Sequence, residues 1–162
     1  MNKKLITMSQ AAMIAALYVV LTFVANTFGL ASGVIQIRLS EALTILPYFT
    51  PAAIPGLTIG CLLSNCLTGC APLDIVFGTV ATLLGALGSY ALRKYQWLTP
   101  IPPILANTII VPWVLRFAYG AKDAVPYMMI TVGIGEVISC YVLGMLLLLS
   151  LKKFSGSLFE TH

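Results

Sequence analysis

Charged side chains are scarce in this sequence: nine Lys or Arg and five Asp or Glu stand among 162 residues, 9% of the chain, where an ordinary soluble domain carries about 25%. So few charges cannot cover a water-soluble fold, and they leave no room for a soluble catalytic domain. Histidine is rarer still, with His162 alone. A histidine-dependent hydrolase or a histidine-rich metal site is therefore hard to build. There is no G-x-x-x-x-G-K-[ST] phosphate loop for ATP and no G-x-S-x-G nucleophile elbow. The four cysteines, Cys61, Cys66, Cys70 and Cys140, form no C-x-x-C pair and read as small apolar residues rather than as disulfide or metal partners. No metal, no cofactor and no catalytic residue is expected.

Apolar residues fill the space instead. They make up 59% of the chain, and the mean hydropathy is +0.98. Long apolar runs extend from about Leu5 to Gly29, Pro51 to Gly69, Ile75 to Leu92, Ile101 to Leu115 and Ala124 to Leu151, each close to one bilayer crossing of about 20 residues. The fold class is thus an all-α integral membrane protein. Met1 to Ala25, with Lys3 and Lys4 ahead of an apolar run, resembles a signal peptide, but the run is long and no A-x-A site follows it closely, so it reads as a retained first helix. The net charge of +4 does not argue for nucleic acid, because the basic residues come mostly in separate pairs rather than along one face.

Between the first two runs lies a less regular piece with Gln36, Arg38 and Glu41, closed by Pro47 and Pro51. Charge placement decides whether it spans, because cytoplasmic loops favour Lys and Arg. With six spans and both termini cytoplasmic, Lys3, Lys4, Arg93, Lys94, Lys152 and Lys153 face in, while Arg38, Arg116 and Lys122 face out. Without that span, four basic residues would face in and five out. The expectation is one transmembrane substrate-binding domain over residues 1–162, with helices at about 5–29, 40–50, 51–70, 73–93, 99–118 and 124–151, the second one short.

Small residues recur at four-residue spacing in Ala11 and Ala15, Ala12 and Ala16, Gly56 and Gly60, and Ala81 and Gly85. This spacing lets helix backbones approach closely in lipid, either within the chain or against another subunit.

Polar groups fall unevenly with depth. Gln36, Arg38, Glu41, Asn65, Asp74, Arg116 and Lys122 lie toward the outer face, while Asn107 and Glu136 lie deeper. Twelve positions from Ala124, Glu136 sits roughly 18 Å into its helix, near the midplane. An ionisable group there costs about 2.5–3.5 kcal/mol on insertion scales and faces a cavity, a ligand or an internal partner such as Arg116 or Arg38. Gly133 and Gly135 beside it allow a backbone or a flat ligand to come close. Asn65 and Asn107 must find hydrogen bonds in the dry interior, from other helices or from a ligand. Arg38 and Glu41 are spaced to pair with each other, Ser40 to cap the short helix, and Asp74 to suit the first turn of the fourth helix. Trp113 and Tyr127 suit an interfacial belt; Trp113 could instead stack on an aromatic ligand.

Three stretches carry a family resemblance: RLSEALTILPYFTPAAIPGL from Arg38, LANTIIVPWVLRFAYG, and TVGIGEVISCYVLG around Glu136. They resemble the QueT family of queuosine-precursor transporters, and the likeness runs from the first helix to about Leu147. That family is counted among the substrate-binding S components of energy-coupling-factor (ECF) transporters. The resemblance implies a multi-pass protein of the bacterial cell membrane that is not an enzyme. It also implies an outward-facing site for a 7-deazaguanine base or queuine, and partners comprising a transmembrane coupling protein and two ATPase subunits. Ala11, Ala12, Ala15 and Ala16 match the A-x-x-x-A pattern that docks on the coupling protein in such components. Glu136 is expected to read the guanine-like edge of the ligand, with Glu41 its main rival, and Arg38, Asn107, Asn65, Asp74 and Trp113 are further candidates. The competing reading is an autonomous ion-coupled carrier or channel for a small polar solute.

Overall fold

A computed structural model describes residues 2–155, which include no strand; His162 lies outside them. The order is α1 (Lys3–Thr27), a 3₁₀ helix (Leu39–Tyr48), α2 (Ala53–Leu67), α3 (Pro72–Ala91), α4 (Ile101–Ala118), α5 (Val125–Glu136), a π-helical segment (Val137–Leu143) and α6 (Gly144–Lys152). The last three are continuous, and Val125–Lys152 joins α1, α3 and α4 as the four rods long and apolar enough to cross a membrane. Their outer faces carry exposed Met8, Phe117 and Ile130, which suits lipid rather than water. The chain is a multi-pass membrane protein.

The short second helix is present, as a 3₁₀ helix rather than an α-helix. Ten residues at about 2.0 Å rise cover ~20 Å, less than a hydrocarbon core of about 30 Å. It is held inside the bundle against α1, α3, α6 and the π-helical segment. Leu43 and Leu46 pack with Ile14, Tyr18 and Leu57, while Ile45 packs with Met145 and Leu148. Ser40 does not cap this helix. Arg38 occupies the capping position without a side-chain bond, and Ser40 is buried as the second residue of the helix.

Glycines set the close approaches. A Cβ at Gly56 would stand 2.8 Å from the Ala11 carbonyl oxygen, and one at Gly60 2.7 Å from Tyr18 Cβ and 3.1 Å from Ala15. The Gly56/Gly60 stripe of α2 is therefore the surface on which Ala11 and Ala15 of α1 rest, as the four-residue spacing anticipates. Ala12 and Ala16 lie on the other side of α1 and are exposed. Gly85 and Gly88 of α3 meet Pro103 and Pro102 of α4 in the same way. Cys61 and Cys140 are buried, as expected of small apolar residues, but Cys66 is exposed, and all four cysteines are free.

Candidate functional site

At one end of the bundle the helices splay around a cavity of about 400 Å³, within the roughly 300–1,000 Å³ range of small-molecule sites. Its wall takes Tyr18, Thr22 and Asn26 from α1, Gln36 and Arg38 from the following loop, and Ser40 from the 3₁₀ helix. Ser64, Asn65 and Thr68 come from α2, Asp74 from the start of α3, and Leu115 and Tyr119 from the end of α4. The loop that closes it is fixed from below. The Ile37 amide donates to the Leu30 carbonyl at 2.9 Å, and the Arg38 amide donates to Ser139 Oγ at 3.1 Å. The Gln36 carbonyl sits directly on Gly135, where a Cβ would overlap it.

Beneath the wall lies a cluster of buried polar side chains. The Tyr18 hydroxyl donates to Glu41 Oε1 at 2.6 Å. The Asn107 amide donates to Glu136 Oε2 at 3.0 Å and, more weakly, to Glu41 Oε2 at 3.4 Å. The Cys140 thiol donates to Glu136 Oε2 at 3.2 Å. Glu41 and Glu136 are only 1% and 4% exposed, so each bond replaces water that the interior does not supply. Ligand atoms of Glu41, Glu136 and Cys140 lie within 4.8 Å of one another, but the Asn107 N–H donors already point at both carboxylates. A donor in that position opposes a cation, and the set is organised by hydrogen bonds rather than as a metal cradle.

Sequence spacing places these carboxylates in different roles from those observed. Glu41, expected near the outer mouth and paired with Arg38, lies in the same buried cluster as Glu136. No carboxylate comes within ion-pairing distance of the Arg38 guanidinium among the described residues; Glu41, Glu136 and Asp74 are its electrostatic neighbours. Arg116, offered as a partner for Glu136, is exposed. Arg38, Asn65 and Asp74 do line the cavity, whereas Glu41 lies one hydrogen bond behind it through Tyr18, Asn107 behind Glu41, and Glu136 behind Asn107. Trp113 is not brought into the cavity: it is 46% exposed, stacks on Phe117 at 6.1 Å and borders a separate apolar groove.

Asp74 lies in the first turn of α3 but caps nothing. Its Oδ2 accepts from the Tyr119 hydroxyl at 2.8 Å, and that hydroxyl also accepts from the Ala71 amide at 3.1 Å. Partial burial, together with the Asp74 carboxylate, pushes the Tyr119 phenol above its ordinary range and keeps it a donor.

Tyr18, Thr22, Asn26, Tyr119 and Ser139 were not among the residues picked out from sequence. For the first three the signal was available: they stand four apart in the apolar second half of α1, one polar stripe on one face. Tyr119 and Ser139 carry no such pattern.

A family model described as QueT transporter matches residues 8–153. The chain is also 38% identical over 73 residues to the queuosine precursor transporter QueT of Lactococcus lactis subsp. cremoris (strain MG1363), a match covering 45% of this chain and 43% of that protein. No solved structure matches. With the cavity and the buried carboxylates falling inside the matched span, the chain belongs to the QueT transporter family.

Proposed function

We propose that this chain is the substrate-binding S component of an ECF-type transporter in a bacterial cell membrane, importing a 7-deazaguanine base or queuine. The observation that carries the reading is a cavity at one end of the bundle backed by two buried carboxylates, in a chain of a transporter family. The positive-inside count puts that end outside and both termini in the cytoplasm. Lacking a phosphate loop, the chain relies on a coupling protein and two ATPase subunits for energy. The exposed Ala12/Ala16 face of α1 is the docking surface for the coupling protein, since Ala11 and Ala15 are already engaged by α2.

A guanine-like edge offers two adjacent N–H donors, which a carboxylate accepts in parallel. Glu41, behind the cavity wall through Tyr18, and Glu136, behind Asn107, are the residues for this task once an entering ligand displaces those donors, with Asn65 and Arg38 on the wall available to a carbonyl or ring nitrogen. Mass spectrometry of the small molecule that copurifies with the protein tests the substrate: a deazaguanine supports the reading, and an unrelated solute overturns it.

The buried Glu41–Asn107–Glu136 cluster also suits an autonomous ion-coupled carrier, because intramembrane carboxylates serve proton relays. Reconstitution separates the two. Concentrative uptake by this chain alone in liposomes would establish the carrier and remove the S-component reading.

A further inference from the structure

The end of the bundle opposite the cavity carries charge of one sign. Lys3 and Lys4 at the start of α1, Arg93 and Lys94 after α3, and Lys152 and Lys153 around the end of α6 stand there, all exposed. The acidic residues among those described, Glu41, Asp74, Asp123 and Glu136, lie in the buried cluster or at the cavity end. These cations therefore have no acidic counterpart nearby among the described residues.

Between α3 and α4 the chain turns tightly and is fixed from within. The Tyr95 amide donates to the Leu92 carbonyl and the Leu98 amide to the Tyr95 carbonyl, each at 2.9 Å. The Ser89 hydroxyl donates to the carbonyl of the buried Thr99 at 2.8 Å. Yet Tyr95, Trp97 and Leu98 are 64%, 55% and 42% exposed, so a well-anchored turn holds its apolar side chains outward. Arg93 lies over the Tyr90 ring, 4.0 Å from its centroid. The Lys152 ammonium donates to Gln96 Oε1, which brings a third cation to the same turn.

Depth decides what covers this surface. The 20 residues of α3 rise about 30 Å, the thickness of a hydrocarbon core, so the turn that follows falls among the headgroups. Exposed Leu87 of α3 and Leu105 of α4 carry the lipid-facing surface up to it. Tyr and Trp favour this depth, and unpaired Arg and Lys attract acidic headgroups there.

We propose that the turn of residues 93–98 binds an acidic phospholipid. Arg93, Lys94 and Lys152 hold the anionic headgroup, while Tyr95, Trp97 and Leu98 lie against its glycerol and the upper part of its acyl chains. The surface is complementary to a net-negative headgroup and gives a zwitterionic one no such advantage. This does not depend on which solute the cavity takes.

Trp97 supplies the readout, since Trp113 is the other tryptophan of the chain. The full chain carrying Trp113→Phe is reconstituted in phosphatidylcholine vesicles with a small share of brominated lipid, either phosphatidylglycerol or phosphatidylcholine with the same acyl chains. Bromine near the ring quenches its fluorescence. Each basic residue near a membrane surface favours acidic lipid by about fivefold, so brominated phosphatidylglycerol should quench Trp97 at least about twofold more strongly. Equal quenching overturns the proposal. Arg93→Gln with Lys94→Gln should remove most of the difference, and Arg116→Gln with Lys122→Gln, at the cavity end, should keep it; the reverse pattern overturns the assignment. Excess inorganic phosphate should leave the difference intact, and its loss would mean a site for a free anion instead. Equal quenching together with loss of coupling-protein copurification in Arg93→Gln with Lys94→Gln would make the surface a protein interface and remove the lipid. Native mass spectrometry of the unmodified protein, in which phosphatidylglycerol adducts should outlast phosphatidylcholine adducts, decides the matter even if a variant fails to fold.

Discussion

Tyr18 and Glu41, 23 positions apart, meet in a 2.6 Å hydrogen bond that joins the cavity wall to the buried carboxylates. The tyrosine ring belongs to the apolar core with Ile14 and Leu57, while its hydroxyl is the donor closest to the cavity that Glu41 has. Tyr18 is therefore the side chain through which the cavity wall meets this cluster.

Replacing Tyr18 with Phe keeps the packing and removes the donor, leaving Glu41 Oε1 short of a partner at a cost of about 1–3 kcal/mol. Thermal unfolding in detergent should show a lower midpoint, and titration a weaker ligand affinity. An unchanged midpoint would mean that the bond contributes nothing.

Glu136→Gln and Glu41→Gln should each lower ligand affinity ten- to a hundredfold, the scale of about 1.5–3 kcal/mol for a hydrogen bond to a charged group. Because Asn107 serves both carboxylates, the two changes should combine non-additively, with a coupling of roughly 0.5–3 kcal/mol. Additive losses would show that the residues act separately, and full affinity in both single variants would remove the cluster from ligand reading.

The two alanine pairs of α1 should separate cleanly. Ala12→Leu with Ala16→Leu places bulk on an exposed face and should abolish copurification of the coupling protein while thermal stability is kept. Ala11→Leu with Ala15→Leu places it against Gly56 and Gly60 and should destabilise the chain itself, since overpacking costs about 1–3 kcal/mol. Retained copurification in the first variant would move the docking surface off α1.

Gly135→Ala puts a methyl group where the Gln36 carbonyl lies. The loop between α1 and the 3₁₀ helix should lift, seen as faster proteolysis between residues 28 and 38 and as weakened ligand binding. Wild-type protection of that loop would show that the contact is dispensable.

Much of the fold was legible because lipid imposes long apolar runs and small-residue stripes, and these survive in one dimension. Gly56 and Gly60 announced a close helix approach by spacing, but not that α1 is the partner. The 3₁₀ character of Leu39–Tyr48 was not legible, since a short apolar helix with Pro47 reads alike in either winding. Candidate residues were legible as polar types in apolar stretches, and Glu136, Asn107, Asn65 and Asp74 are indeed buried. Their partners were not, because Tyr18 meets Glu41, and Tyr119 meets Asp74, only through tertiary packing. Trp113 shows the converse: its ring suits stacking on a ligand, but the phase of α4 turns it outward.

The π-helical segment gives the last rod a phase error that the site depends on. Its wider winding carries one residue more than an α-helix of the same length needs, so α5 and α6 are out of step. At about 100° per residue, winding all seven residues of Val137–Leu143 as a regular α-helix would swing α5 by roughly a quarter turn relative to α6. Lipid-facing Val137, now 45% exposed, would take the inward position and the 4% exposed Glu136 would leave it. The wide turn thus absorbs one extra residue while holding the carboxylate inward, and a single deletion within Val137–Leu143 is expected to relax the stretch to regular α-helix and leave Glu136 facing in.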